Sequence, residues 1–465
     1  MISSKIIIGI LVLVTFLFTG LGLVYSKGRI KGLDDLFTAR NSTGVGFLST
    51  TFMASFLGVF ILFTPPEAGA IGGISTVVLY AIGLGSLYLA FIFLGPKVRN
   101  YLPEGSTMND FVKKRYGQKM FVLTFSVSIF YMLVHLIAEL TAIALVTKEI
   151  AGVPMFFTAL LLGLCVMIYT SYGGLKASMF TDFIQMILVI VLLFIVAIGI
   201  YSFVGSPLEI IKEAKASVPS LMTFKNKVGL EFGLTLMIAV FVANLFHQGY
   251  WQRIYAGRDA KSLKKSLKIS LVLAVPIMIM TGLLGIVSVA YNHLEHPSVA
   301  MFSLLYDTFP MGLILMVYIL ALVLVMSTVD TLLNALVTSM VVDTGRVKHS
   351  KDQKRTQNRV KLLALVIILP STYIASKGFS VLSLFLLADL LCAGMVLPLF
   401  YGLYQAKLSE NVAVLASVVG ILSGVPFFVQ DKMLMAFVTP LVISFALVQL
   451  GMFIEKNCTK EKSLM

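Results

Sequence analysis

The chain has 465 residues, of which 58% are hydrophobic and 12% are charged. A soluble domain carries about 25% charged residues, so this composition excludes an ordinary soluble protein and predicts an integral membrane protein. The formal net charge of +14 could indicate nucleic-acid binding. Whether it does depends on where the basic residues lie along the chain.

Thirteen apolar windows are long enough to cross a bilayer as helices. The first is long for the core of a signal peptide and no A-x-A cleavage site follows it, so we interpret it as a retained span. The sequence therefore predicts an all-α integral membrane protein with about thirteen transmembrane helices. The windows are 5–25, 46–68, 73–95, 119–149, 154–172, 179–203, 229–250, 267–290, 310–344, 360–376, 379–404, 410–428 and 433–454.

The basic residues predict the orientation of these helices. An odd number of spans puts the termini on opposite sides, and most of the 36 Lys and Arg residues fall in loops on one side. Because positively charged loops stay in the cytoplasm, we expect the N-terminus outside and the C-terminus inside a cell membrane, the inner one in a Gram-negative host. The basic clusters at 97–119, 253–268 and 346–361 are then cytoplasmic anchors, which disfavours nucleic-acid binding.

Motifs of soluble enzymes are missing from the sequence. It contains no GxxxxGK[ST] phosphate loop, no HExxH zinc motif and no GxSxG nucleophile turn. We therefore expect neither an enzyme nor an ATP-driven pump, and no cofactor, nucleic acid or obligate protein partner. His293 and His296 in an outer loop could bind a metal, but a solvated loop is the favoured interpretation.

Helix-breaking residues interrupt the second predicted helix. The segment 53–58 (MASFLG) contains three small residues in mid-helix and is followed by Pro65, Pro66 and Glu67. This pattern allows an unwound segment with free carbonyls, which survives at membrane depth only where it lines a cavity or is buried in protein. Close packing of two helices through their small residues would explain the same pattern.

Polar residues also occupy the seventh predicted helix. Gly249 invites a break there, and Trp251 and Arg253 beyond it are expected to be an interfacial anchor ahead of the basic loop. The deeper polar residues, which are candidates for solute contact, are Asn244, His247 and Gln248.

Three further predicted helices contain ionisable or hydroxyl residues. In the fourth, His135 and Glu139 share a face and could line a solute path or form one satisfied pair. In the ninth, Ser327 and Thr328 could offer neutral oxygens to a small hard cation, or could simply pack and bond to the preceding turn. Asp389 in the eleventh is an intramembrane carboxylate and therefore a functional candidate, with no partner evident from the sequence. The ninth helix also carries Asp330, Thr331 and Asn334, which could line an exit path or pin the helix.

A group of motifs between residues 33 and 334 is more specific. The clearest is 169–178 (YTSYGGLKAS), followed by Thr181, Asp182 and Gln185, and 33–40 (LDDLFTAR) adds a second. Together they resemble the sodium:solute symporter family, whose members carry proline, sugars, sialic acid, pantothenate or urea. Further matching residues are Pro96, Arg99, Thr107, Asp110, Phe111, Arg115, Tyr116, Gly117, Gln252, Arg253, Met326, Ser327, Thr328, Asp330 and Asn334.

The resemblance implies the leucine-transporter fold with two inverted five-helix repeats, at 46–203 and 229–404. The chain 1–465 is then one transmembrane transporter domain. Residues 1–45 add a first helix and loop, and 405–465 add two C-terminal helices and a short cytoplasmic tail.

The resemblance also implies a sodium ion between the second and ninth helices. Asp182 matches an acidic position that is tied to sodium release in relatives. Some relatives carry Asp at the position of Phe56, and Phe cannot supply that charge, so their substrate contacts cannot be carried over whole. The implied sodium ligands are the carbonyls of Ala54, Leu57 and Leu324 and the hydroxyls of Ser327 and Thr328.

These implications predict a sodium-coupled secondary active symporter that imports a small polar organic solute, such as an amino acid, a sugar or urea, by alternating access. A proton-coupled symporter of the same fold is the nearest alternative. A transporter-like membrane sensor is less favoured, because only a short tail follows residue 455. The predicted solute contacts are Ser55, Phe56, His135, Glu139, Asn244, His247 and Gln248.

Overall fold

The computed structural model describes residues 2–29, 36–291, 297–343 and 353–462. Within these ranges the chain is helical, and the one β-feature is an isolated bridge between Thr43 and Gly257. Residues 33–35 of the second motif, the histidines at 293 and 296, and part of the basic cluster at 346–361 lie outside the described residues.

The helices fall into long spans, shorter apolar pieces and short connecting helices. Short 3₁₀ segments also occur at Val59–Leu62, Asn244–Phe246 and Pro297–Val299. In chain order the α-helices are α1 Ser4–Ser26, α2 Val45–Phe56, α3 Thr64–Tyr101, α4 Met108–Arg115, α5 Gln118–Ala151, α6 Met155–Phe203, α7 Pro207–Ser217, α8 Lys227–Ala243, α9 Gln248–Ala256, α10 Ala260–Ala290, α11 Ala300–Thr308, α12 Met311–Thr338, α13 Gln353–Ala375, α14 Val381–Ala393, α15 Val396–Tyr401, α16 Glu410–Val429 and α17 Met433–Lys462.

Among the described residues, ten helices are long and apolar enough to cross a membrane, as expected of a multi-pass, all-helical protein. The predicted number of thirteen is not reached by this criterion. Helices α2 and α14 are apolar, but they have 12 and 13 residues, fewer than the roughly 20 that a bilayer requires. The predicted windows 154–172 and 179–203 are joined in α6, which has 49 residues.

Gly174 interrupts α6 between those two windows. Its φ of 54° and ψ of −146° lie outside the helical region, and a Cβ at this position would collide with the carbonyl oxygen of Leu36. Glycine alone adopts this conformation at little cost and allows such close approach. The glycine pair in the 169–178 motif therefore marks a bend that packs against the segment after α1.

Two further helices are broken within the apolar region. Helix α2 ends at Phe56, and Leu57 and Gly58 lead into the 3₁₀ segment Val59–Leu62, which confirms the predicted interruption of the second helix. Helix α8 ends at Ala243, and the chain resumes as α9 after His247. The predicted break at Gly249 is therefore two residues too late. The helix restarts at Gln248 because His247 Nδ1 accepts the Gly249 N–H at 3.1 Å and so caps α9.

Helix α12 occupies the centre of the fold. It contacts α1, α2, α5, α6 and α9, and every residue from 320 to 338 is buried. Its polar side chains consequently face protein and not lipid, which is the arrangement that makes intramembrane polar groups tolerable. Helices α16 and α17 pack on each other towards the C-terminus.

Candidate functional site

The break in α2 lies directly against the polar turn of α12. Ser327 Oγ lies 3.2 Å from the Ala54 carbonyl oxygen, and Thr328 Oγ1 donates to the Leu324 carbonyl at 3.1 Å. Leu57 caps α2 one turn beyond Ala54, and all five residues are buried. Carbonyl and hydroxyl oxygens from two helices thus converge beside an unwound segment, an arrangement that suits a small hard cation.

Glu139 reaches this break from α5. Its Oε2 accepts the Val59 N–H at 3.1 Å and so satisfies a donor at the start of the 3₁₀ segment. A Cβ added to Gly58 would lie 2.6 Å from Thr328 Oγ1 and would also collide with Glu139 Oε1. Hence the carboxylate of Glu139 and the hydroxyl of Thr328 flank Gly58, and they leave no room for a side chain at this position.

His135 and Glu139 do not form the direct pair that was one of the two interpretations. His135 Nδ1 lies 3.1 Å from the Tyr131 carbonyl of its own helix, whereas Glu139 bonds to Val59. Both side chains line the same cavity, which agrees with the interpretation of a shared solute-facing surface.

That cavity lies between α2, α3, α5, α8, α9, α10, α12 and α14. Six of the seven predicted solute contacts line it, namely Ser55, Phe56, His135, Glu139, Asn244 and His247. Thr328, predicted as a sodium ligand, also lines it. The lining residues that the sequence reasoning did not assign to the solute are Phe60, Tyr80, Leu84, Val240, Tyr250, Met278, Phe385 and Asp389.

Gln248, the seventh predicted contact, is not in this lining. Its Oε1 accepts the Met108 N–H at 2.9 Å, and its Nε2 donates to Ser128 Oγ at 3.1 Å. The prediction for Gln248 is corrected because His247 starts a new helix, which turns the next side chain towards α4 and α5. Gln248 therefore ties α9 to the neighbouring elements.

Stacked rings form one wall of the cavity. The Phe56 and Tyr250 rings stack with centroids 4.0 Å apart, and the His247 ring stacks on the other side of Tyr250 at 4.0 Å. Tyr250 Oη donates to the Ser55 carbonyl at 3.2 Å, and Tyr131 Oη donates to Asn244 Oδ1 at 3.1 Å. Phe56 therefore contributes an aromatic ring to this wall.

Asp389 faces the cavity from α14. It is buried, and its Oδ1 has no hydrogen-bond partner among the residues that the structure describes. The sequence already indicated a functional role, because a carboxylate within a membrane-spanning helix is usually functional. Only the tertiary structure shows that it shares a cavity with Glu139.

A buried ion pair lies next to the group of oxygen atoms at the break in α2. Arg253 Nη2 contacts Asp182 Oδ2 at 2.6 Å, and both side chains are fully buried. Asp182 Oδ1 accepts from Ser327 Oγ at 2.6 Å, which links the ion pair to a predicted sodium ligand. The expectation that Trp251 and Arg253 are interfacial anchors is wrong, since both are fully buried.

Asp330 joins α12 to both arms of α6. Its carboxylate accepts from Tyr169 Oη at 2.7 Å, before the bend at Gly174, and from Ser178 Oγ at 2.8 Å, after it. Of the two roles left open for this residue, the contacts favour pinning the helix.

A pair of broken helices beside a cavity that contains ionisable side chains, held in a bundle of apolar helices, is the architecture of membrane transporters. Solved structures share the fold. A sodium-coupled sialic acid symporter in a substrate-bound, outward-open state aligns with a TM-score of 0.78 at 17% identity, covering 96% of this chain and 98% of that one. Mhp1, a nucleobase-cation-symport-1 family transporter, aligns with a TM-score of 0.59 at 14% identity, covering 90% and 96%. The protein has the fold of the leucine-transporter group.

The family is established by sequence as well. The model of the sodium:solute symporter family matches residues 36–420, so the chain belongs to that family and is a transporter, not an enzyme.

Named relatives differ in what they carry. A spermidine transporter of Candida albicans is 27% identical over 392 residues, covering 83% of this chain and 72% of its own length. The urea active transporter of Saccharomyces cerevisiae is 25% identical over 273 residues, covering 55% and 36%. The sodium/pantothenate symporter of Escherichia coli is 26% identical over 223 residues, covering 46% and 46%. The matched region thus spans less than half of the urea and pantothenate relatives.

Proposed function

We propose that this protein is a sodium-coupled secondary active symporter that imports a small polar organic solute by alternating access. The observation that carries the proposal is the contact of Ser327 Oγ with the Ala54 carbonyl, beside the break that ends α2. It brings a hydroxyl of α12 to a carbonyl of α2 at the break. A sodium ion bound there would join two helices that belong to different repeats.

The proposed sodium ligands are Ala54, Leu57, Leu324, Ser327 and Thr328. Neutral oxygens suit a coupling ion, because binding must be weak enough to allow release. Asp182, which accepts from Ser327 Oγ, is the proposed acidic residue on the release path. Its carboxylate can attract the ion once Arg253 shifts.

The proposed organisation has thirteen spans, with the two inverted repeats at 46–203 and 229–404. The breaks support it, because each interrupts the first helix of a repeat, one at Leu57–Gly58 and the other at 244–247. Corresponding breaks in the two halves mark the binding site in inverted-repeat transporters. We further propose that the protein lies in the cell membrane with the N-terminus outside, and that 405–465 adds two helices outside the repeats.

The proposed solute-binding residues are the six predicted ones that line the cavity: Ser55, Phe56, His135, Glu139, Asn244 and His247. The names of the relatives include spermidine, urea, pantothenate and glucose transporters. Because these solutes differ in size and charge, the relatives leave the class of solute open.

Proton coupling is the second candidate. A urea-proton symporter of rice is 22% identical over 275 residues, and the buried carboxylates of Glu139 and Asp389 line the cavity. In a proton-coupled protein one of these groups would carry the proton in place of the sodium ion.

Uptake into proteoliposomes tests the proposal. The purified full chain would be reconstituted and offered radiolabelled spermidine, urea, pantothenate, glucose and proline under an inward sodium gradient, or under an inward proton gradient in sodium-free buffer. We expect accumulation of at least one solute with the sodium gradient only. Accumulation driven by the proton gradient without sodium would overturn sodium coupling and favour the second candidate.

A further inference from the structure

The cavity is lined by two acidic side chains. Asp389 Oδ1 is buried without a hydrogen-bond partner in the described part of the chain, and Glu139 is the second carboxylate in the lining. No Lys or Arg occurs among the described lining residues. A buried ionised carboxylate needs a positive partner or several donors.

The two histidines of the lining do not supply that partner. His247 Nδ1 accepts the Gly249 N–H at 3.1 Å, so this nitrogen carries no proton and the ring is neutral. His135 Nδ1 is engaged with the Tyr131 carbonyl at 3.1 Å. Arg253, a buried basic residue of α9, is paired with Asp182 and does not line the cavity.

The two acidic side chains come from different helices, Glu139 from α5 and Asp389 from α14. Glu139 accepts from Val59 N–H and flanks Gly58 together with Thr328, so it belongs to the proposed sodium position. Asp389 comes from α14, which supplies none of the proposed sodium ligands, and it shares the cavity wall with Phe385. One carboxylate is therefore available to each of two cations.

The rest of the wall is aromatic. Phe56 and Tyr250 stack at 4.0 Å, and Phe60 meets Phe385 edge-on at 6.3 Å. The faces of aromatic rings attract cations, most strongly where water is excluded. A carboxyl group in an aromatic-lined cavity is suited to an organic ammonium group, whose hydrocarbon part contacts the rings.

We propose that the transported solute is a cation with a protonated amine, and that the ammonium group pairs with Asp389 in this aromatic-lined cavity. This inference rests on the proposed transport function and deepens it by defining the charge of the solute. A protonated Asp389 would need no cationic partner, and Asp389→Asn would then leave amine uptake unchanged.

The test is uptake by the full chain in proteoliposomes under an inward sodium gradient, with radiolabelled putrescine and spermidine as probes. We expect both amines to accumulate, and we expect 1,4-butanediol, a neutral molecule of the same length as putrescine, not to compete at equal concentration. Losing one partner of a buried charge pair weakens binding, so Asp389→Asn should raise the half-saturating amine concentration about 30-fold or more. Asp389→Glu should recover part of this loss.

The matched control is Asp431→Asn, which removes a carboxylate from an exposed turn and should leave amine uptake unchanged. If Asp389→Asn lowers uptake only because it misfolds, its sodium-dependent rise in Tm should vanish too. In that case the competition between putrescine and 1,4-butanediol on the wild type decides whether the solute must be a cation.

Equal competition by the diol, unchanged amine uptake by Asp389→Asn, or a wild type that ignores both amines would each overturn the proposal. Sodium-driven uptake of urea or glucose without amines would refute only the cationic solute, whereas the absence of any sodium effect on Tm or uptake would refute sodium coupling itself.

Discussion

Arg253 and Asp182 form an ion pair in which Nη2 and Oδ2 are 2.6 Å apart and both side chains are fully buried. Thr51 Oγ1 donates to the same carboxylate oxygen at 2.6 Å, and Arg253 Nη2 donates to Thr331 Oγ1 at 2.7 Å. The guanidinium group therefore connects α9 to α2, α6 and α12 beneath the proposed sodium site. Four helices thus meet at one charge.

Removing this charge should destabilise the protein strongly. Arg253→Gln leaves the Asp182 carboxylate buried and unpaired, which lowers the free energy of unfolding by about 3–5 kcal/mol. Unfolding in detergent micelles with increasing SDS measures the change. The control is Arg258→Gln, because Arg258 pairs with Asp259 on an exposed surface and should contribute about 0–1 kcal/mol. Equal effects of the two substitutions would contradict the buried network.

Gly58 should be sensitive to a single methyl group. The Cβ of Gly58→Ala would lie 2.6 Å from Thr328 Oγ1 and would collide with Glu139 Oε1, so either the break or α12 must shift. Such overpacking costs about 1–3 kcal/mol, and we expect the sodium concentration for half-maximal stabilisation to rise about tenfold. Thermal melting in a sodium titration checks this. Gly312→Ala, where nothing lies within 4 Å of the added Cβ, should behave like the wild type.

The charge of Glu139 should strengthen sodium binding. Glu139→Gln keeps an oxygen that can accept the Val59 N–H, but it removes the negative charge beside Thr328. We expect the sodium affinity to fall about tenfold while the fold persists, because a charge at this range acts strongly where water is scarce. Calorimetric sodium titration measures the affinity. Glu149→Gln alters an exposed position at the end of the same helix, and it should change nothing; a loss in both variants would assign the effect to α5 as a whole.

The hydrogen bond between Tyr169 and Asp330 should stabilise the bend of α6. Tyr169→Phe deletes a 2.7 Å bond to a carboxylate and should lower the free energy of unfolding by about 1.5–3 kcal/mol. The comparison is Tyr201→Phe, since Tyr201 lies on the exposed face of the same helix. A negligible difference between these variants in SDS-induced unfolding would show that Asp330 does not pin α12.

Local signals explain what the sequence could predict. The break after α2 follows from small residues and prolines, and the hydroxyls of Ser327 and Thr328 stand out because the helix around them is apolar. Both signals depend on a few neighbouring residues. The contact that brings Ala54 to Ser327 was available only through the resemblance to a family.

The errors arise where a distant helix decides the outcome. Arg253 adjoins a basic loop, so its sequence neighbours indicate an interface, yet Asp182 from α6 holds it inside. Gln248 was expected in the cavity because it is polar and lies deeper in the apolar window than Trp251 and Arg253. The new start of α9 at His247 turns it away. Asp389 was visible as a carboxylate, but its position in the same cavity as Phe56 and Tyr250 requires the packed bundle.

Equilibrium binding of ²²Na⁺ to the purified full chain tests the central claim most directly. The wild type should bind sodium saturably, and Ser327→Ala combined with Thr328→Ala should abolish binding because two oxygens of the cluster are removed. Ser417→Ala, which deletes a buried hydroxyl bonded to the Ala413 carbonyl in α16, should bind as the wild type does. Unchanged affinity in the double variant would contradict a sodium site between α2 and α12.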